Sequence, residues 1–158
     1  MKLRDLISPD AVTAELKSQD RDGVVHELVD LLIAAGKADA AMRDDLVARV
    51  LDREERGSTG FGKGVAVPHV KHDQVNDMAA AIGISPEGVE FNALDKKPVH
   101  SFILLLSPGL RPDEHLHAME AIFKHLTQDG FRRFLKQATT PGEVIALLDE
   151  ADSQQLSA

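Results

Sequence analysis

Cysteine is absent from this chain of 158 residues. That absence excludes disulfides, thiol catalysis and thiolate metal sites. No apolar run approaches the roughly 18 residues that a membrane-spanning helix needs, so direct membrane insertion is not expected. Residues Met1 to Ile7 lack the apolar core of a signal peptide, and a cytoplasmic protein is the default expectation. No basic patch stands out either. Lys and Arg number 18 against 26 Asp and Glu, a net charge of -8, which disfavours nucleic acid as a partner. Internal repeats and low-complexity linkers are also missing. A single domain over residues 1–152 is expected, followed by a frayed, disordered tail over residues 153–158. What is present, 43% apolar and 28% charged residues, is ordinary for a globular chain long enough to bury a full core.

The pattern along the chain predicts alternating elements. Ser8, Pro9 and Asp10 read as a turn, with a short strand over Ala11 to Leu16. Asp20 is placed to cap a helix that runs to about Ala35 and ends at Gly36. Val25, Leu28, Val29 and Leu32 share one face of it. A second helix is expected from Ala40 to Arg56, with Leu46, Val47, Val50 and Leu51 inward and Gly57 as its stop. The middle of the chain reads as strands: Val65 to Val67, Met78 to Ile84, Val89 to Phe91, and Val99 to Leu106. The last is apolar from Phe102 onward, which predicts a central strand. Asp113 is expected to cap a helix to about Gln128, with a stripe of Leu116, Met119, Ile122, Phe123 and Leu126. A short helix follows over Phe131 to Gln137. Thr140, Pro141 and Glu143 resemble a capping box opening a last helix that ends near Asp149 to Asp152. Helices on both sides of a strand-rich centre predict an α/β domain with a mixed central sheet flanked by helices.

The most informative stretch is Gly57-Ser58-Thr59-Gly60-Phe61-Gly62-Lys63-Gly64-Val65-Ala66-Val67-Pro68-His69. Gly57, Gly62 and Lys63 match most of a nucleotide-binding P-loop, but Gly64 replaces the magnesium-binding Ser or Thr. The order of elements is also reversed, with a helix before and a strand after. Anion binding by glycine N–H groups survives both objections. His69 is the second feature. Pro68 stiffens the backbone and pushes Val67 into an extended conformation, so the imidazole is presented from a strand end. A neutral histidine is a nucleophile towards phosphorus, and the site suits a phosphoryl group carried on histidine. Arg53, in the last turn of the second helix, reads either as a solvated cation at a helix C-terminus or as a fork that clamps phosphoryl oxygens. His115 falls on the inward face of its helix and His117 on the opposite face. A metal site would draw on His69 with His72, His115 with His117, and Asp73. Neither histidine pair has an established zinc spacing, so no metal is expected.

Leu51 to His69 together resemble the active-site region of enzyme IIA of the bacterial phosphotransferase system, fructose/mannitol class. The resemblance is closest to its nitrogen-regulatory branch, where Gly57-Ser58-Thr59-Gly60 is typical. His115-Leu116 followed by a helix resembles the second active-site histidine of that family, and the likeness extends over nearly the whole chain. It implies a mixed sheet flanked by helices and phosphorylation of His69 by the histidine-containing phosphocarrier protein. It further implies that Arg53 and His115 support the phosphoryl group, with Ser58, Thr59 and Gly60 nearby, and that no cofactor is needed. The protein would be a phosphoryl carrier rather than a turnover enzyme. Its onward partner would be a IIB domain, a transporter or a kinase. One domain, no transporter segment and no cysteine-bearing IIB-like domain favour a stand-alone regulator or a detached sugar-specific component, and the nitrogen-type loop favours the regulator. A non-catalytic binding module and a histidine-metal hydrolase remain as alternatives. One position departs from the pattern: Val70 follows His69 where the family often has glycine. A branched residue disfavours positive φ, so the chain is expected to leave the site by a different path.

Overall fold

The computed structural model describes residues 1–157. In chain order the elements are α1 (Leu3–Leu6), β1 (Ile7–Thr13), α2 (Arg21–Ala34), a 3₁₀ turn (Ala40–Met42), α3 (Arg43–Arg56), β2 (Gly60–Gly62), β3 (Val65–Ala66), β4 (His69–His72), β5 (Ala79–Val89), β6 (Val99–Pro108), α4 (Pro112–Leu126), α5 (Asp129–Gln137) and α6 (Pro141–Ser157). The strands form one mixed sheet of six, in the order β1-β5-β6-β3-β2, with β4 also paired to β6. β6 is central, as its apolar run predicts. It runs antiparallel to β5 on one side. On the other side it is parallel first to β3 and then to β4.

Alternation along β6 divides the core into two layers. Phe102, Leu104 and Leu106 pack with Val25, Leu28 and Leu32 of α2 and with Leu46, Val47 and Val50 of α3. Ile103 and Leu105 face the other way, towards Ala118, Ile122 and Leu126 of α4, Leu135 of α5 and Leu148 of α6. Helices therefore cover both faces of the sheet. Asp20 caps α2, its carboxylate accepting from the Gly23 N–H at 2.7 Å, and Gly36 leaves that helix at φ 76°. Glycines at positive φ also make the β2–β3 hairpin turn, with Gly62 at 110° and Gly64 at 79°. The P-loop-like stretch is thus a tight hairpin.

Several expectations need correction. Ser8, Pro9 and Asp10 lie inside β1, where the register with β5 shifts between Ile7 and Val12. A bulge absorbs Pro9, which has no N–H for a ladder. Val89 continues β5 instead of forming a separate strand. α4 is capped at Arg111 and opens on Pro112, not at Asp113, because a proline at the first helical position forfeits no bond. Leu116 is 56% exposed. The inward stripe of α4 is His115, Ala118, Ile122, His125 and Leu126, and the small Ala118 hid it from a reading that weighted large residues.

Thr140 Oγ1 accepts from the Glu143 N–H at 3.1 Å, but the returning Glu143 carboxylate takes the Thr139 N–H. The backbone of α6 continues past Asp152 to Ser157, into the segment expected to fray, and Ala158 lies outside the described residues. An anchor explains the continuation. Buried Asp152 accepts from the N–H groups of Leu3 at 2.8 Å and Arg4 at 3.1 Å, closing α1 onto α6. Asp152→Ala strands a buried N–H and is expected to cost about 1–3 kcal/mol, read by urea unfolding.

Candidate active site

β4 occupies a short edge of the sheet: β6 is its only strand partner among the described residues. Its side chains alternate between the two faces. Val70 and His72 turn towards α3, and both are buried. His69 and Lys71, opposite Leu105 and Ser107 of β6, turn towards α4. An open cleft of about 400 Å³ follows this edge. It is lined by Arg49, Asp52, Arg53 and Arg56 of α3, by His69, Val70 and Lys71 of β4, and by His115 of α4. Four cations against one carboxylate, on a chain of net charge -8, make the cleft an anion site. A larger groove of about 540 Å³ between α5 and α6 has no histidine or arginine in its walls, so we place the chemistry in the smaller cleft.

His69 is half-buried, and its Nδ1 lies 2.9 Å from the Val67 carbonyl. A carbonyl only accepts, so Nδ1 carries the proton and donates it. Nε2 keeps its lone pair and has no hydrogen bond to any described residue. The rigid Val67-Pro68 step sets this geometry, since it brings the carbonyl two residues back under the ring. The ring of His115 lies against that of His69, with centroids 5.5 Å apart and planes tilted by 56°. His115 is 9% exposed, and its Nδ1 is 2.7 Å from Ser107 Oγ. Burial, reinforced by the neighbouring Lys71 and His69, lowers its pKa to about 4. It is therefore neutral at neutral pH. His117 is exposed on the far side of α4, as the helical phase predicts.

Arg53 closes the end of α3 by donating from Nη1 to the Gly57 carbonyl at 2.7 Å, and the residue lines the cleft. Sequence reasoning missed Arg49, although Arg49, Arg53 and Arg56 recur at helical spacing. Ser58, Thr59 and Gly60 are not among the residues that line the cleft. Ser58 Oγ donates to the Phe91 carbonyl and accepts from the Gly60 N–H. Thr59 donates through both its N–H and its hydroxyl to the buried carboxylate of Glu54. A Cβ on Gly60 would meet Ala93 Cβ at 2.9 Å. Glu54, which looked like one more solvated charge, ties the loop to α3.

His72 does not join His69. Its Nδ1 accepts from the Gln74 N–H at 3.1 Å, and its Nε2 donates to Asp45 at 2.7 Å. That bond, and then Arg49, hold the Asp45 carboxyl below its ordinary range. Among the described residues no three His, Cys, Asp or Glu side chains are grouped to hold a metal ion.

Comparison with known proteins gives a concordant result. Residues 5–151 match the model of the family described as phosphoenolpyruvate-dependent sugar phosphotransferase system, EIIA 2. The fructose-specific EIIABC component of Bacillus subtilis is 29% identical over 152 residues; the alignment covers 96% of this chain but only 24% of that protein. The fructose-specific EIIA component of Haloferax volcanii is 31% identical over 139 residues, covering 88% and 89% of the two chains. The crystal structure of nitrogen regulatory protein IIA-Ntr from Neisseria meningitidis superimposes with a TM-score of 0.82 at 28% identity, over 91% and 97% of the chains. No described helix is long and apolar enough to cross a membrane. With the match spanning nearly its whole length, the chain belongs to the EIIA 2 family of the phosphoenolpyruvate-dependent sugar phosphotransferase system.

Proposed function

We propose that this protein is a phosphohistidine relay component that accepts a phosphoryl group on Nε2 of His69 from the histidine-containing phosphocarrier protein. The observation that carries this reading is the 2.9 Å bond between His69 Nδ1 and the Val67 carbonyl. It holds the ring in the tautomer whose free lone pair is on Nε2, beside a cleft rich in cations. In the transfer, that lone pair forms a new N–P bond. The donor's N–P bond breaks, and its electron pair returns to the donor imidazole. The positive charge gained by the His69 ring is met by the Val67 carbonyl. The phosphoryl oxygens need charge stabilisation and little covalent help. Arg53 supplies a forked donor and His115 a neutral N–H. Phosphorus–nitrogen correlated NMR of the phosphorylated protein tests the assignment: the phosphorus is expected on Nε2, and attachment at Nδ1 overturns it.

Arg53→Ala is expected to slow acceptance about 10²-fold, the usual loss for one preorganised donor. Arg53→Lys should recover only part of the rate, because a point charge does not replace the fork. Stopped-time phosphorylation assays check both.

The relay is read as regulatory, of the nitrogen type, with phosphorylation switching a downstream partner through added negative charge. The Gly57-Ser58-Thr59-Gly60 loop and the likeness to the Neisseria protein support this reading. The similarity to the Haloferax fructose component favours a second reading, a sugar-specific component that hands the phosphoryl group to a IIB domain. Mixing the phosphorylated protein with IIB domains of the host separates them, since only the second reading predicts rapid loss of phosphate to a IIB cysteine.

A further inference from the structure

Ser107 lies near the end of β6, fully buried and directly opposite Lys71 of β4. Its hydroxyl has a single hydrogen-bond partner among the described residues, Nδ1 of His115 at 2.7 Å. Two arrangements of protons fit that distance. If His115 Nδ1 carries the proton and donates, the Ser107 hydroxyl proton has nothing to accept it, in a place with no solvent access. A buried donor left unpaired is costly. If Ser107 donates to Nδ1, both groups are satisfied, and the ring proton of neutral His115 sits on Nε2.

We infer that Ser107 is a positioning residue that fixes His115 in the Nε2–H tautomer and so turns it into a neutral hydrogen-bond donor for the phosphoryl group on His69. The inference rests on the reading of His69 as the acceptor. The two imidazoles are then held in opposite tautomers by two different devices. The Val67 carbonyl accepts from His69 Nδ1–H, which keeps the proton on Nδ1 and leaves the Nε2 lone pair free for phosphorus. The Ser107 hydroxyl occupies Nδ1 of His115 and leaves an N–H on its other nitrogen. One ring offers electrons and its neighbour offers a proton in a hydrogen bond, with no metal and no net charge on His115. The opposite tautomer of His115 would turn a lone pair towards the phosphoryl oxygens and repel them. The duty accounts for a serine at the end of the apolar run Phe102 to Leu106.

The test is long-range proton–nitrogen NMR of the imidazoles in the unphosphorylated wild-type protein at neutral pH. It needs no variant and no phosphate donor. The Nε2–H pattern is expected for His115 and the Nδ1–H pattern for His69. An Nδ1–H pattern on His115 overturns the inference. Ser107→Ala is then expected to give a mixed tautomer on His115 and acceptance slowed about tenfold, the usual scale of one lost hydrogen bond. Ser107→Thr, which keeps the hydroxyl, should restore the wild-type pattern and most of the rate. An Ala variant that folds with an unchanged His115 spectrum and an unchanged rate contradicts the proposal. Wild-type protein that shows the expected tautomers yet accepts no phosphate sinks the relay reading and leaves the Ser107 assignment standing.

Discussion

His69→Ala is expected to carry no phosphoryl group at all while unfolding at nearly the same urea concentration as the wild type. The two halves follow from one geometry. The nucleophile is lost outright, and no neighbour substitutes for it. His115 is buried with Nδ1 engaged by Ser107, and His72 faces the other side of the sheet, bonded to Asp45. The fold, in contrast, loses little. His69 is half-buried at the start of an edge strand, and its ring makes one hydrogen bond to its own chain two residues back. A stability change within about 1 kcal/mol is expected. Phosphate retained by this variant, measured by intact mass, would move the acceptor elsewhere.

His115→Ala has the second largest expected effect, and it appears in two measurements. Acceptance should fall about 10²-fold through loss of the donor N–H, while His117→Ala, on the exposed face of α4, changes little. Stability should also lose part of its pH dependence. Burial, with Lys71 and His69, lowers the His115 pKa from 6.5 to about 4 in the folded state. Between those values the unfolded chain binds a proton that the folded chain refuses, so acidification favours unfolding. The contribution is fully present above about pH 6.5 and is lost as pH falls towards 4. Its upper size is about 3 kcal/mol, from ~1.4 kcal/mol per pKa unit. Urea unfolding at stepped pH should show the wild type losing stability relative to His115→Ala over that interval. Parallel curves would show that His115 is not held neutral.

The parts of the fold legible in the sequence are those whose signal is local. The cap at Asp20, the face of Val25, Leu28, Val29 and Leu32, and the apolar run of β6 each declare themselves within a few residues. β4 did not. His69 to His72 carries two histidines and an exposed lysine, and it is a strand because the second half of β6 gives it a ladder. The same ladder answers the expectation about Val70. In place of a loop needing positive φ, the chain leaves His69 as extended strand, with Val70 buried and paired to Leu106. A branched residue suits that position. At the site, His69, His115 and Arg53 were legible by type and phase, and the structure brings all three to one cleft. Arg49 was legible in principle, four residues before Arg53. Ser107 and Glu54 were not, because each is a buried polar side chain whose partner lies on a different element of the fold. Ser58, Thr59 and Gly60 were picked out as phosphate ligands; the Ser58 hydroxyl donates to the Phe91 carbonyl and accepts from the Gly60 N–H, and Thr59 donates to Glu54 of α3. Direct contact of these three with phosphate remains a proposal.

The central claim is that His69 accepts a phosphoryl group, and intact mass spectrometry tests it most directly. The protein would be incubated with phosphoenolpyruvate, enzyme I and the phosphocarrier of its own host, beside His69→Ala. The account predicts one acid-labile phosphoryl group on the wild type and none on the variant. A folded wild-type protein that stays unphosphorylated under those conditions would contradict it and leave the non-catalytic binding module as the better reading.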